Sequence, residues 1–155
     1  METDYARRSE ESDYLLNLVS KTHFYFLIRA EEHLKQIDGA SEITPGIRNF
    51  LVCLFSDDGL KISDAAKKMG VGKSTMTSVV SRAKKMGYIT TTRDPKDGRA
   101  IRVYLTEKAH KFRPPLIRLG SVLNQEINQI LSKEDQKSLE ELLEKLLSDH
   151  PTSAG

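Results

Sequence analysis

The sequence predicts a mainly α-helical fold with one small β-hairpin. Apolar residues recur at helical spacing over a long N-terminal stretch and again over the last third of the chain. Between these stretches, two short helical segments meet at a glycine-containing turn. Two β-rich segments follow, joined by the turn sequence DPKDG. With 155 residues and 38% hydrophobic content, the chain is expected to form one domain with additional helices attached.

The first helix is predicted over residues 13–40. From Asp13 the apolar positions keep helical spacing for about seven turns without proline or glycine, and Gly39 is expected to end the helix. Apolar side chains lie on two sides of the central turns, so the helix needs two surfaces to pack against. In a chain of this length, one of those surfaces is expected to belong to a second copy, with Leu15 and Leu18 in the contact.

A second helix is predicted to begin after Thr44, which can cap it, with Pro45 at its first position. The sequence Asp57-Asp58-Gly59 closes this helix. Cys53, the only cysteine, lies within it. A lone cysteine excludes an intrachain disulfide and agrees with a reducing compartment. Its thiol is interpreted as a small buried hydrophobe, with a redox sensor as the alternative.

Two short helices are predicted next. Ser63 is the expected N-cap of the first, which ends at Gly70, and the second runs from Lys73 to Met86 ahead of Gly87. Helices joined in this way form a helix-turn-helix. The outward face of the second helix suits phosphates and base edges in a DNA major groove, because it carries only short hydroxyls and cations. Its residues are Lys73, Ser74, Thr75, Thr77, Ser78, Ser81, Arg82 and Lys85.

Basic residues are concentrated between positions 61 and 102. This segment has eleven Lys or Arg and three Asp, a net charge of +8, whereas the chain before it carries −5 and the chain after it −1. A positive field of this kind suits a polyanion, although a solvated lysine-rich face would give the same count. A basic hairpin behind a helix-turn-helix is a winged helix, whose wing can place an arginine in the minor groove. The basic residues of the hairpin are Arg93, Lys96, Arg99 and Arg102.

The hairpin also carries the pattern D-x-R-x-x-x-V-x-L-T as Asp97, Arg99, Val103, Leu105 and Thr106, preceded by Asp94-Pro95. The helix before it reads GKSTMTSVVSRAKKMGYI. Together these runs resemble the MarR family of bacterial transcription regulators, over roughly residues 44–109. Three positions depart from that family's pattern: Ala65 and Ala83 stand in place of leucine, and Ala109 in place of glycine. The first two are expected to thin the small core behind the wing.

The resemblance implies a homodimeric transcriptional regulator, expected to be a repressor, that binds a pseudo-palindromic operator in double-stranded DNA. It implies that Arg99 contacts the minor groove and that Asp97 orients it. The full set of candidate DNA-contacting residues is Lys73, Ser74, Thr75, Thr77, Ser78, Ser81, Arg82, Arg93, Lys96, Asp97 and Arg99. It also implies release by a small effector, aromatic or phenolic, in the cleft between the dimer helices and the DNA-binding lobe. The candidate walls of that cleft are His23, Phe26, Arg29, Phe50 and Cys53.

These elements divide the chain into an N-terminal dimerisation helix (13–40), a DNA-binding lobe (44–106) and C-terminal dimerisation helices (107–149), with flexible tails at 1–12 and 150–155. Thr106 is expected to cap a helix reaching about Leu131 with a bend at Pro114-Pro115, and Ser132 to cap the last helix. The leucines of the last helix are expected to pack against a second copy, or against the first helix of the same chain. Those assigned to the dimer contact are Leu139, Leu142 and Leu146.

Catalytic and metal-binding classes are disfavoured. The four histidines form no H-x-x-x-H or H-E-x-x-H motif, and V-G-K-S-T lacks the first glycine of a phosphate loop, so no enzyme activity, metal or cofactor is expected. Two alternatives remain: a metal sensor using His23 and His33, and a winged-helix module that binds DNA or protein without sequence choice. The longest apolar run is too short to span a membrane, and the polar N-terminus lacks a signal-peptide core, which predicts a cytoplasmic protein.

Overall fold

A computed structural model describes residues 14–148. The mainly α-helical fold with one β-hairpin is confirmed. The predicted tails 1–12 and 150–155, together with positions 13 and 149, lie outside the described residues. In chain order the elements are α1 Tyr14–Lys35, α2 Pro45–Ser56, α3 Ile62–Met69, α4 Lys73–Lys85, β1 Ile89–Arg93, β2 Ile101–Leu105, α5 Glu107–Ile130 and α6 Lys133–Ser148.

Helix α2 is the central element of the core. Thr44 caps it as predicted, since its hydroxyl accepts a hydrogen bond from the Ile47 N–H, and Pro45 takes the first turn. Four of its side chains are buried, and it packs against α1, α3, α4, α5 and β2. Burying each large apolar side chain contributes about 1.5–3 kcal/mol. Helix α2 therefore fixes the positions of the helix-turn-helix and the hairpin relative to α1 and α5.

The helix-turn-helix consists of α3 and α4. Gly70 ends α3 in the left-handed region (φ 63°), as the sequence predicts. The predicted Ser63 cap is wrong, because α3 begins two residues earlier than that cap implies, at Ile62, with Lys61 in the cap position and no side-chain cap bond. Lys61 is held in an extended conformation by a bridge to Arg102 of β2, and this contact sets the helix start.

The hairpin is antiparallel, with Ile89 opposite Leu105 and Arg93 opposite Ile101. Its β2 edge is also bonded to the segment before α3: the Gly59 N–H donates to the Val103 carbonyl, and the Val103 N–H donates to the Leu60 carbonyl. The wing is thus fixed to the body of the lobe along β2, and its tip projects beyond.

Helix α1 ends earlier than the sequence predicts. Its last helical residue is Lys35, and Gly39 (φ 73°) lies in the turn that follows. The chain turns here so that Ile37 packs against the core and Ala40 enters it. Core packing therefore ends the helix before the glycine does.

The last two helices begin where predicted. The Thr106 hydroxyl accepts from the Ala109 N–H at the start of α5, and the Ser132 hydroxyl accepts from the Asp135 N–H ahead of α6. Helix α5 runs on through Pro114 and Pro115. Helix α6 has no buried residue, so packing against α1 of the same chain does not cover its leucines. No helix among residues 14–148 is both long and apolar enough to span a membrane.

Candidate nucleic-acid interface

Helix α4 presents the outward face that the sequence predicts. Its inward face is anchored by the buried side chains of Met76, Val80 and Ala83. The Thr77 hydroxyl donates to the Lys73 carbonyl one turn back, which leaves its lone pairs free to accept. The candidate residues of this helix are all exposed: Lys73, Ser74, Thr75, Thr77, Ser78, Ser81 and Arg82. Because no acid lies among them, the face combines positive charge with short hydrogen-bonding groups.

The wing tip carries the other candidates. Arg93, Lys96, Asp97 and Arg99 are all exposed. The Asp97 carboxylate accepts a hydrogen bond from the backbone N–H of Arg99 at 3.1 Å, and the Asp97 carbonyl accepts from the Ala100 N–H at 2.8 Å. Asp97 therefore fixes the backbone of the tip, and through it the point from which the Arg99 side chain projects.

Asp94 organises the base of the wing, a role that the sequence pattern does not predict. It is only 2% exposed. One carboxylate oxygen accepts from the N–H groups of Lys96 and Asp97, both at 2.8 Å, and the other accepts from the Arg102 guanidinium. That guanidinium also donates to the Gly59 carbonyl. Arg102 is therefore an internal brace of the wing, although its position in the sequence suggests an exposed cation.

The pKa of Asp94 follows from this environment. Burial by itself would raise it, but the hydrogen bonds from Lys96, Asp97 and Arg102 outweigh burial and lower the pKa from 3.8 to about 2. The low folded-state pKa means that the ionised carboxylate stabilises the folded wing.

Acid is therefore expected to weaken the wing through this group. A carboxyl with a depressed pKa stabilises the fold fully above its unfolded pKa, here 3.8, and loses that contribution as pH falls toward about 2. Thermal unfolding of the protein and of Asp94→Asn should differ by a constant margin above about pH 5, and the margin should shrink between about pH 5 and pH 2. A margin that stays constant down to pH 2 would contradict this assignment.

The five candidate effector residues differ widely in exposure. Phe50 is fully buried in the core, Cys53 and Phe26 are half-buried, and His23 is exposed. The Arg29 guanidinium is bound by Glu126 at 2.6 Å and by Glu32 at 2.8 Å. None of these five residues lines the cavity between α3, α4 and the wing or the cavity between α1 and α5. An effector cleft at these positions stays a prediction.

A cavity of about 360 Å³ lies between α1 and α5 and is lined in part by His33 and Arg118. The buried Nε2 atom of His33 has no hydrogen-bond partner there, and its distance to a Glu126 oxygen is 3.8 Å. Among residues 14–148, no three His, Cys, Asp or Glu side chains are grouped as metal ligands would be.

Comparisons with known proteins agree with this geometry. The MarR family model matches residues 48–101. The HTH-type transcriptional regulator YfiV of Bacillus subtilis is 32% identical over 91 residues, covering 59% of this chain and 57% of YfiV. The chain spans little more than half the length of the curated relatives it matches.

Solved structures share the fold over a longer range. The MarR family regulator Sco3205 of Streptomyces coelicolor, solved in complex with DNA, superposes with a TM-score of 0.78 at 20% identity, covering 94% of this chain and 91% of that one. The regulator PcaV of the same organism, solved with its natural ligand, gives 0.78 at 21% identity, covering 88% and 94%. Residues 48–101 of this protein therefore match the MarR family model, and the chain shares the fold of solved MarR regulators over most of its described residues.

Proposed function

We propose that this protein is a homodimeric, sequence-specific transcriptional regulator that acts as a repressor on a pseudo-palindromic operator in double-stranded DNA. The observation that carries the proposal is the outward face of α4. Seven exposed hydroxyl or cationic side chains share that face without an acid, beside a wing whose exposed tip holds Arg99. Short donors and cations on one helix fit the major groove, and an arginine on a projecting hairpin fits the narrow minor groove.

Dimerisation is proposed from the apolar surfaces at the two ends of the described chain. On α1, Leu15 is 67% and Leu18 43% exposed, and on α6, Leu142 is 61% exposed. Leucines that recur at helical spacing and are exposed to this extent need a partner surface, because monomeric proteins rarely expose large contiguous apolar patches. An isologous contact through these helices would hold two α4 helices at a fixed separation, which suits half-sites about one DNA turn apart.

A small aromatic or phenolic effector is proposed to release the DNA. PcaV, which shares the fold, was solved with a natural ligand. Release requires that the ligand favour one spacing of the two DNA-binding lobes over another. Its site must therefore contact the DNA-binding lobe and also either α1 or α5. The candidate positions are distributed in that way, since His23, Phe26 and Arg29 lie on α1 whereas Phe50 and Cys53 lie on α2 of the lobe.

The test is selection of bound DNA from a random pool by the purified full-length protein. The expected result is a two-fold symmetric motif, bound at least about 10³ times more tightly than random duplex at physiological salt. Equal affinity for the selected and random duplexes would instead identify a module that binds DNA without sequence choice.

A redox-sensing regulator of the same fold is less well supported. Burial raises the pKa of the Cys53 thiol, and Asp57 adds to this effect while Lys68 opposes it. A raised pKa keeps the sulfur as an unreactive thiol at neutral pH, whereas sensor cysteines are exposed and have low pKa values.

A further inference from the structure

An arginine of the DNA-binding lobe is bonded to the backbone of α5. The Arg48 side chain on α2 donates twice to the Leu116 carbonyl oxygen, from Nε at 3.0 Å and from Nη2 at 2.8 Å. Its other terminal nitrogen, Nη1, donates to the side-chain oxygen of Asn49 at 3.0 Å. A carbonyl oxygen has two lone pairs, so the Leu116 carbonyl can accept from this guanidinium while it remains part of the helix. The contact therefore joins α2 to α5 through one backbone oxygen.

This cation is held without a counter-charge. No ion pair among residues 14–148 includes Arg48, and its side chain is half-buried. Burial lowers the pKa of the guanidinium, the effect expected when a cation leaves water without an acid beside it. Burying a cation is unfavourable unless hydrogen bonds compensate it, so the bonds to the Leu116 carbonyl are what hold Arg48 in this position.

Gly120 makes room for the guanidinium. It lies one turn after Leu116 in the interior of α5, where glycine is less favourable than alanine. A Cβ atom at position 120 would stand 2.7 Å from the Arg48 Nη2 atom, which is too close for an unbonded pair. An unpaired cation and a glycine inside a helix each break a local rule of stability, and such exceptions are concentrated at functional sites.

The contact lies where α5 passes from the DNA-binding lobe to the dimerisation helices. In the first half of α5, the Phe112 ring packs edge-on against Tyr88 of the lobe, with ring centroids 5.6 Å apart. In the second half, Glu126 pairs with Arg29 of α1 at 2.6 Å. Residues 116–120 separate these two contacts, so a bond made there controls how the lobe is set on the helix.

Directional bonds fix an angle where apolar packing alone does not. The buried side chains of Ala109 and Leu116 hold α5 against the lobe, but apolar contacts have no preferred direction. A guanidinium presents its donors in a rigid plane. We infer that Arg48 is a positioning residue that fixes the angle of the DNA-binding lobe on α5, and through it the half-site separation that the dimer accepts. This inference rests on the proposed function, which supplies the dimer and the operator.

Arg48→Met provides the first test, because it removes the guanidinium and keeps a long apolar side chain. Its affinity is measured for the selected operator, for a single half-site, and for an operator with one base pair inserted between the half-sites, which moves one of them by about 3.4 Å. The unmodified protein should prefer the selected operator to the lengthened one. In Arg48→Met this spacing ratio should be roughly tenfold smaller, the factor that corresponds to one hydrogen bond of a charged group. Half-site affinity should be unchanged, since one lobe makes that contact alone.

Gly120→Ala tests the same contact while Arg48 is retained. The added methyl group displaces the guanidinium, whereas alanine favours the helix more than glycine does. The spacing ratio should therefore fall as in Arg48→Met, with no loss of melting temperature. Gly46→Ala on α2 is the matched control, because a Cβ atom there meets only Val79, at an ordinary 4.0 Å. Its spacing ratio should equal that of the unmodified protein.

The angle of the lobe can also be followed without DNA. Nitroxide labels at the exposed positions Lys67 of α3 and Gln129 of α5, in a Cys53→Ala background, report the distance between the lobe and the far end of α5. Dilution with unlabelled protein restricts the measurement to distances within one chain. The unmodified background should give one narrow distance distribution, and Arg48→Met and Gly120→Ala should each give a broader one.

The outcomes distinguish positioning from support of the fold. If Arg48→Met and Gly120→Ala weaken half-site and operator binding equally and leave the spacing ratio unchanged, Arg48 only supports the fold and the inference is overturned. If the unmodified protein selects no DNA, the proposed function fails, and the label distances alone decide whether Arg48 fixes the lobe. Equally narrow distributions in all of the variants would then show that it does not.

Discussion

Replacing Leu142 and Leu146 of α6 by glutamate is expected to convert the proposed dimer to monomers. Both side chains are more than half exposed in the single chain, and each would contribute about 1.5–3 kcal/mol if buried by a partner. Placing carboxylates at these positions removes that contribution and adds the cost of burying unpaired charge, which is several kcal/mol per ion. The lost burial energy and the added cost of burying charge are together large enough to abolish a dimer whose dissociation constant is micromolar or lower.

Loss of the dimer should also weaken binding to operator DNA. Two half-sites held on one dimer bind with an effective local concentration that a monomer lacks, so operator affinity should fall by about 10²–10⁴. The fold of each subunit should survive, because α6 has no buried residue in the single chain. Sedimentation equilibrium gives the mass, circular dichroism gives the helix content, and a filter or mobility-shift titration gives the affinity.

A matched control makes the same change in net charge on the opposite face of α6. Lys137→Gln together with Ser148→Glu also alters the net charge by −2, and both positions lie about half a turn from the leucines. This variant should remain dimeric and bind the operator normally. A leucine variant that still sediments as a dimer would show that α6 is not the contact, and α1 would then be the surface to test.

Much of this fold could be predicted because its signals are local. Glycine at positive φ, a threonine one residue ahead of a helix, and apolar spacing each depend on a few neighbouring residues. Gly70, Thr44 and Thr106 end or begin their helices as predicted for that reason. The outward face of α4 could be predicted in the same way, since one helical repeat determines which side chains are exposed.

The features that escaped prediction depend on contacts between distant segments. Helix α3 begins at Ile62 because Lys61 pairs with Arg102, forty-one positions along the chain. Asp94 reads as an ordinary turn residue, and only the folded hairpin shows that its carboxylate is buried and bonded to Arg102. The cavity between α3, α4 and the wing likewise requires three separate elements to be placed together. Periodicity and turn rules contain no information of that kind.

Arg99→Ala is expected to weaken operator binding by about 1–3 kcal/mol, or roughly 5- to 150-fold, with the dimer and the melting temperature unchanged. Its guanidinium is exposed and forms no ion pair within the described residues, so its removal takes nothing from the fold. The loss arises from the narrow minor groove, where negative potential is enhanced and an arginine is favoured.

The dependence on DNA sequence makes this test specific to the wing. The minor groove distinguishes mainly A·T from G·C pairs, so replacing A·T by G·C beneath the wing should weaken binding by the unmodified protein and have little effect on Arg99→Ala. Arg113→Ala, which removes an exposed arginine of α5, should retain full affinity and the same A·T preference. If Arg99→Ala binds as tightly as the unmodified protein, the wing does not enter the minor groove.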